Sequence, residues 1–147
     1  MKVEGTYHIE ADPQHVWEGL MSPDLLARCI PGCQQLEQTG DGSYAVKLKA
    51  GIGAVSGTYT GTVRISDIAE PRSFRMSGEG KRAGSSASGS GLITLTPESG
   101  GTRLDVQGEA KVTGLIARVG QRLIGSASRV LMDQFFNAAK AALESGE

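Results

Sequence analysis

Apolar and polar side chains alternate from the start of the chain: Val3, Gly5, Tyr7 and Ile9 interleave with Lys2, Glu4, Thr6, His8 and Glu10. A period of two marks a strand with one buried face, so the first element is predicted to be a strand. Asp12 then precedes Pro13, a capping residue followed by the residue best tolerated in a first helical turn, and Val16, Trp17 and Leu20 follow at helical spacing. Ser22 and Pro23 repeat the signal. They open a second short helix through Leu25, Leu26 and Arg28, which must end before Pro31.

From Cys33 to Thr113 the alternation predicts six strands, at 33–39, 43–50, 55–68, 72–82, 85–97 and 101–113. Turn chemistry separates them at Gly40-Asp41-Gly42, Gly51-Ile52-Gly53, Glu70-Pro71-Arg72, Ala83-Gly84 and Ser99-Gly100-Gly101. Consecutive hairpins imply an antiparallel sheet, and strands longer than the usual five or six residues imply that it coils. The last segment, Leu115 to Leu143, reads as one amphipathic helix, roughly 40 Å long at 1.5 Å per residue. At about 100° per residue, Ile116, Val119, Leu123, Ala127, Val130 and Leu131 share a face, with Arg118, Arg122, Arg129, Asp133 and Lys140 opposite. A second apolar stripe, Met132, Phe136, Ala139 and Leu143, adjoins the charged group. It is either a docking patch for a protein partner or core covered by strand ends and the short helices. The expected fold class is α+β: a curved antiparallel seven-stranded sheet wrapped around a long C-terminal helix, with two short helices after the first strand. One domain is expected to span residues 1–147.

Composition sharpens the picture at two points. The chain holds 21 glycines and only 5% aromatic residues. Glycine inside strands marks bends, bulges or close backbone approach, so the concave side of the sheet is expected to be incompletely filled. Gly120 and Ala127 keep the helix slim, which means either that the sheet packs very close or that room is kept for a ligand. Fifteen Lys and Arg against sixteen Asp and Glu, with a pI near 6.1, supply no broad field for nucleic acid. Met1 leads straight into the first strand without the pattern of a secretory signal, and no apolar run approaches the ~20 residues of a membrane span, so a cytoplasmic location is expected.

Candidate chemistry is sparse. His8 lies among the polar positions of its strand and His15 in the first short helix, and no Ser-His-Asp, Cys-His or His-Glu grouping accompanies them. Cys29 and Cys33 flank Ile30-Pro31-Gly32 without CxxC spacing or further ligands nearby, so they read as small buried or boundary thiols. Gly51 to Gly57 looks like a phosphate-cradling loop, but Thr58, Tyr59, Thr60 and Val63 continue as strand where a helix would be needed, so a hairpin at a cavity rim is the reading. Gly84 to Gly91 reads as a bent strand, because alternation resumes at Leu92. With no metal set and no flavin or nicotinamide fingerprint, a redox-inert protein without a covalent cofactor is expected. The expected chemistry is non-catalytic binding of a hydrophobic small molecule between sheet and helix. Its candidate contacts are Leu26, Ile30, Leu48, Tyr59, Phe74 and Met76, together with Ile116, Val119, Gly120, Leu123 and Ala127 of the last helix.

The order strand, two short helices, six-stranded meander and long helix resembles the helix-grip fold of the START and birch-pollen-allergen superfamily. More specifically, Cys29-Ile30-Pro31-Gly32-Cys33 followed by Leu36-Glu37 resembles the CoxG family of carbon monoxide dehydrogenase subunits. So does the stretch from Gly114 to Ile124, with Gln134-Phe135-Phe136 after it. The resemblance covers essentially the whole chain. It implies a small accessory protein of molybdenum hydroxylases of the carbon monoxide dehydrogenase type, binding a quinone such as menaquinone. Its partners would be that enzyme complex and, by transient contact at the inner face of the cell membrane, the electron-transport chain. Some members carry a C-terminal extension suited to membrane attachment, and none is expected here. Two alternatives remain at this stage: a cyclase or hydrolase acting on a hydrophobic substrate, and an assembly or membrane-recruitment adaptor without a ligand.

Overall fold

The computed structural model describes residues 1–51 and 56–144. β1 (Lys2–Ile9) is followed by α1 (Pro13–Leu20) and α2 (Pro23–Cys29). Both short helices begin as their sequences dictate. The Asp12 carboxylate accepts from the His15 N–H at 2.9 Å and the Ser22 hydroxyl from the Leu25 N–H at 3.4 Å, each satisfying an amide that has no partner within its helix. Then come β2 (Cys33–Gly40), β3 (Ser43–Ala50), β4 (Gly57–Ala69), β5 (Ser73–Arg82), β6 (Ser85–Glu98) and β7 (Gly101–Gly114). The expected strand ends agree with these to within two residues; position 55, where the third of the six was expected to begin, lies outside the described residues, as does part of the Gly51 to Gly57 hairpin.

All seven strands form one antiparallel sheet in the order β1-β7-β6-β5-β4-β3-β2. The meander runs in sequence order, and β1 closes it by pairing with β7. Successive residues of a strand point to opposite faces, so the register assigns Tyr44, Ile65, Phe74, Ile93, Leu104 and Ile9 to the side that holds the helices. There they form the main core with Trp17, Leu20, Leu25 and Leu26. Trp17 meets Phe74 edge-on, with centroids 5.4 Å apart, the geometry that aromatic quadrupoles favour.

The last segment departs from the single helix expected over Leu115 to Leu143. Leu115–Val119 forms a 3₁₀ turn, Gly120 breaks it at φ 92°, and α3 runs from Gln121 to Glu144. A φ of this sign is accessible to glycine at little cost and opposed by a Cβ. The consequence is rotational. An α-helical phase carried through the break misplaces the buried face of α3 by about a third of a turn. Leu123 and Val130, expected to face the sheet, are 56% and 41% exposed. Phe135, Phe136, Ala139 and Leu143 are buried instead, so the docking-patch reading of the Phe136 stripe is overturned in favour of the core reading.

This stripe fastens α3 to β1 and to the short helices. The Phe136 ring stacks on Tyr7 at 4.5 Å and meets Phe135 edge-on at 5.0 Å. Of the charged residues placed on the outer face, two turn toward β1: Asp133 accepts from the Tyr7 hydroxyl at 2.6 Å, and the Lys140 ammonium donates to the His8 carbonyl at 3.0 Å. His8 itself sits at the boundary, 2.6 Å from Glu98. Burial, and after it the Asp133 carboxylate, push the Tyr7 phenol well above its ordinary value of 10.

Two outcomes follow for stability. Phe136→Ser is expected to cost ~3–5 kcal/mol, as truncation of a buried aromatic does, read as a lower denaturation midpoint at unchanged slope. For Tyr7, the raised folded-state value means that its contribution is complete below pH 10, the ordinary phenol value, and declines as the pH rises above it. The fall in stability above pH 10 is therefore expected to be steeper in the parent than in Tyr7→Phe, measured by urea unfolding from pH 8 to 11.

Candidate functional site

Along the middle of the concave face the sheet has almost no side chains. The register runs Val63, Gly78, Gly89 and Ala110 across β4 to β7 in one row, and Gly61, Gly80, Ala87 and Val112 in the next. A third row on the side of the main core continues with Met76, Gly91 and Gly108. These glycines serve two purposes. At Gly61 and Gly108 a Cβ would collide with the backbone of the neighbouring strand, so there the sheet bends too tightly for any side chain. At Gly78, Gly80 and Gly91 a Cβ would come no closer than 3.5 Å to anything. The backbone does not require glycine at those three positions; its effect there is to leave space.

Above this floor lies the N-terminal half of α3. Ile124, Ala127, Ser128 and Leu131 recur at i, i+3, i+4 and i+7, one face of a helix, and all four belong to the walls of the space beneath. The space consists of two adjoining chambers. The outer one, about 310 Å³, lies among Leu48, Tyr59, Ile116, Ile124 and Ala127. The inner one, about 350 Å³, reaches toward the core between Ile30, Met76, Phe135 and Phe136. Val63, Gly78, Gly89, Ala110, Ser128 and Leu131 belong to both, so the two share a wall. Volumes of this size fall at the lower end of ordinary small-molecule sites.

Of the residues expected to meet a ligand, Leu48, Tyr59, Ile116 and Ala127 line the outer chamber, and Ile30 and Met76 the inner. Leu26 and Phe74 do not line either: both are fully buried in the main core, where they fill space. Val119 packs against the small cluster of Ala50, Tyr59, Ile116, Ile124 and Ala127 without forming a wall. Gly120 is exposed, with nothing within 4 Å of where its Cβ would be, and Leu123 points outward. The expectation that Gly120 keeps a helix interior slim is thus corrected, since Gly120 precedes the helix. Sequence reasoning missed the floor, Ile124 and Ser128. The signal for the floor was present, as small residues at every second position of consecutive strands: Gly78 and Gly80, Ala87, Gly89 and Gly91, Gly108 and Ala110.

Polar residues on these strands occupy the opposite phase of the pleat. Thr62, Glu79, Ser88 and Lys111 also border the outer chamber, but they alternate with the floor residues, so the pleat sets their side chains on the convex side. Among the described residues no three His, Cys, Asp or Glu side chains come together as a metal site. Burial pushes the Cys29 thiol up, away from the reactive thiolate. The arrangement can enclose an apolar molecule.

Filling the floor provides the test. Gly78→Val adds a β-branched side chain where its Cβ fits, so the melting temperature is expected to hold or rise slightly. Affinity for apolar ligands is expected to fall roughly ten-fold or more, the scale of an overpacking penalty transferred to the complex. Titration of both proteins with a fluorescent hydrophobic probe checks this.

The sequence profile of the CoxG family of carbon monoxide dehydrogenase subunits matches residues 5–144. No curated protein matches the chain. Among solved structures, a conserved protein from Geobacillus kaustophilus superposes with a TM-score of 0.94 at 30% identity, over 99% of this chain and 96% of that one. Two more distant structures share the fold: a protein from Thermus thermophilus, with TM-score 0.75, 14% identity and coverage of 100% and 99%, and Ara h 8.0201, with 0.68, 15%, and 99% and 98%. Helix-grip architecture, the cavity beneath α3 and the match along nearly the whole chain agree, and the chain belongs to the CoxG family of carbon monoxide dehydrogenase subunits.

Proposed function

We propose that this protein is a non-catalytic carrier that holds a lipophilic molecule, a quinone such as menaquinone, beneath α3 and passes it between a molybdenum hydroxylase and the membrane. The observation that carries this reading is the side-chain-free floor, since glycine at Gly78, Gly80 and Gly91 is not required by backbone contact. Each Å² of apolar surface removed from water contributes about 25 cal/mol, so a ligand burying a few hundred Å² gains several kcal/mol before its ordering costs. The family's name ties it to carbon monoxide dehydrogenase, which supports an enzyme of that type as the partner. An enzyme on this fold would need polar groups converging on the chambers, and apart from Tyr59 the pleat turns the polar side chains of the floor strands to the convex face.

Charge supports the membrane side of the reading. The chain is nearly neutral overall, yet no acidic residue occurs in 42–66, 80–97 or 110–132. The antiparallel topology gathers parts of these stretches at the outer-chamber end, where Lys47, Lys49, Lys81, Lys111, Arg118 and Arg122 are exposed. Leu115 and Leu123, 53% and 56% exposed, belong to the same end. Cations around protruding leucines suit an anionic lipid surface. No helix among the described residues is long and apolar enough to cross a membrane, so the proposed contact is peripheral.

The test is extraction from vesicles. Phosphatidylglycerol vesicles loaded with menaquinone are mixed with the protein and removed by flotation, and the protein fraction is examined by native mass spectrometry. One menaquinone per chain is expected. Arg118→Gln with Arg122→Gln should weaken vesicle binding by roughly thirty-fold, at ~1 kcal/mol per cation, and leave detergent-delivered menaquinone bound. Protein that emerges without menaquinone by either route sinks the carrier reading.

A further inference from the structure

The two chambers meet beneath Ser128, whose side chain shares the cavity face of α3 with Ile124, Ala127 and Leu131. A serine inside a helix ordinarily turns its hydroxyl back to the carbonyl four residues earlier. Ser126 does so, donating to the Arg122 carbonyl at 3.1 Å on the exposed side of the helix. Ser128 does not: among the described residues its hydroxyl has no protein partner. Nor is it sealed away, since no buried side-chain polar atom of the described residues lacks a hydrogen bond. The residue is half-buried and lines both chambers.

Its surroundings make it distinctive. The floor opposite is Gly78, Gly89 and Ala110, and Met76, Phe135 and Phe136 line the inner chamber beyond. Tyr59 lines the outer chamber, with the Arg82 guanidinium 5.5 Å from its ring centroid. Ser128 therefore places one donor and acceptor at the junction of two apolar compartments. In such a setting a hydrogen bond selects for its partner more than it adds to affinity, because the ligand group that meets it gives up water in any case.

We propose that Ser128 is the specificity-determining residue of the cavity, and that the ligand is an apolar molecule presenting a carbonyl or hydroxyl oxygen at this junction. The inference rests on the carrier reading and narrows its ligand class: oxygen-bearing ring compounds are favoured over pure hydrocarbons of the same shape. Discrimination by one neutral hydrogen bond is worth roughly three- to ten-fold in affinity.

Two probes of one skeleton isolate the effect, 2-methyl-1,4-naphthoquinone and 2-methylnaphthalene, titrated into the full chain, with the melting temperature as a folding control. Ser128→Ala is expected to bind the quinone roughly three- to ten-fold more weakly and the hydrocarbon as well as the parent or better. Ser128→Thr, which keeps the hydroxyl, should retain the parent's quinone-to-hydrocarbon ratio. Equal losses for both probes in Ser128→Ala, or no loss for either, would refute the assignment while leaving the carrier reading intact. A parent protein that binds neither probe would remove both.

Discussion

The height of α3 above the sheet is the constraint on which the rest of the molecule depends, and it is set at the C-terminal end of the helix. Phe135, Phe136, Ala139 and Leu143 are packed among the residues of the main core, and the Tyr7–Asp133 and Lys140–His8 hydrogen bonds fix the helix along β1. A helix of 24 residues is stiff over its roughly 36 Å length, so fastening one half positions the other. The N-terminal half is thereby held over glycine-rich strands, with Ile124 and Ala127 meeting the small cluster of Ala50, Tyr59 and Ile116. A cavity persists in a protein interior only where the surrounding framework cannot collapse into it, and here the framework is a hydrogen-bonded sheet on one side and a pinned rod on the other.

The same geometry divides the molecule into a half that carries stability and a half that carries binding. Large side chains occupy the inward positions near α1 and α2, where Phe74, Leu95 and Leu104 are buried in the main core, and the same strands switch to glycine and alanine a few residues further on. Charge follows this division. Glu10, Asp12, Glu98 and Glu144 lie toward the packed end, where Arg103 and Lys140 pair with two of them, while Lys47, Lys49, Lys81, Lys111, Arg118 and Arg122 stand exposed at the other. A nearly neutral chain can thus present a locally basic end, because net charge reports a sum and docking responds to the arrangement.

The fold was legible because each element is announced by local physics. Alternation from Val3 to Ile9, the caps at Asp12 and Ser22 and the turn residues between strands depend on neighbours in sequence, and all hold in three dimensions. The site was only half legible. Assigning Leu48 and Tyr59 to an inward face requires only the pleat, but telling a cavity wall from a filled core requires knowing what stands opposite, and Leu26 and Phe74 were misassigned for that reason. The helix face failed on a single residue: Gly120 resets the phase, and nothing in the hydrophobic pattern distinguishes a glycine inside a helix from one that interrupts it. Ser128 went unnoticed because its meaning lies in the absence of a partner, which no sequence displays.

That reset at Gly120 also separates two design problems. The angular position of the residues on α3 is counted from Gln121 onward, and the 3₁₀ turn before it has its own geometry. Residues added to or removed from the Leu115–Val119 stretch would reshape the wall that Ile116 gives the outer chamber without turning Ala127, Ser128 and Leu131 away from the floor. That wall and the helix face can therefore diverge independently, so one floor can be bordered by many different rims.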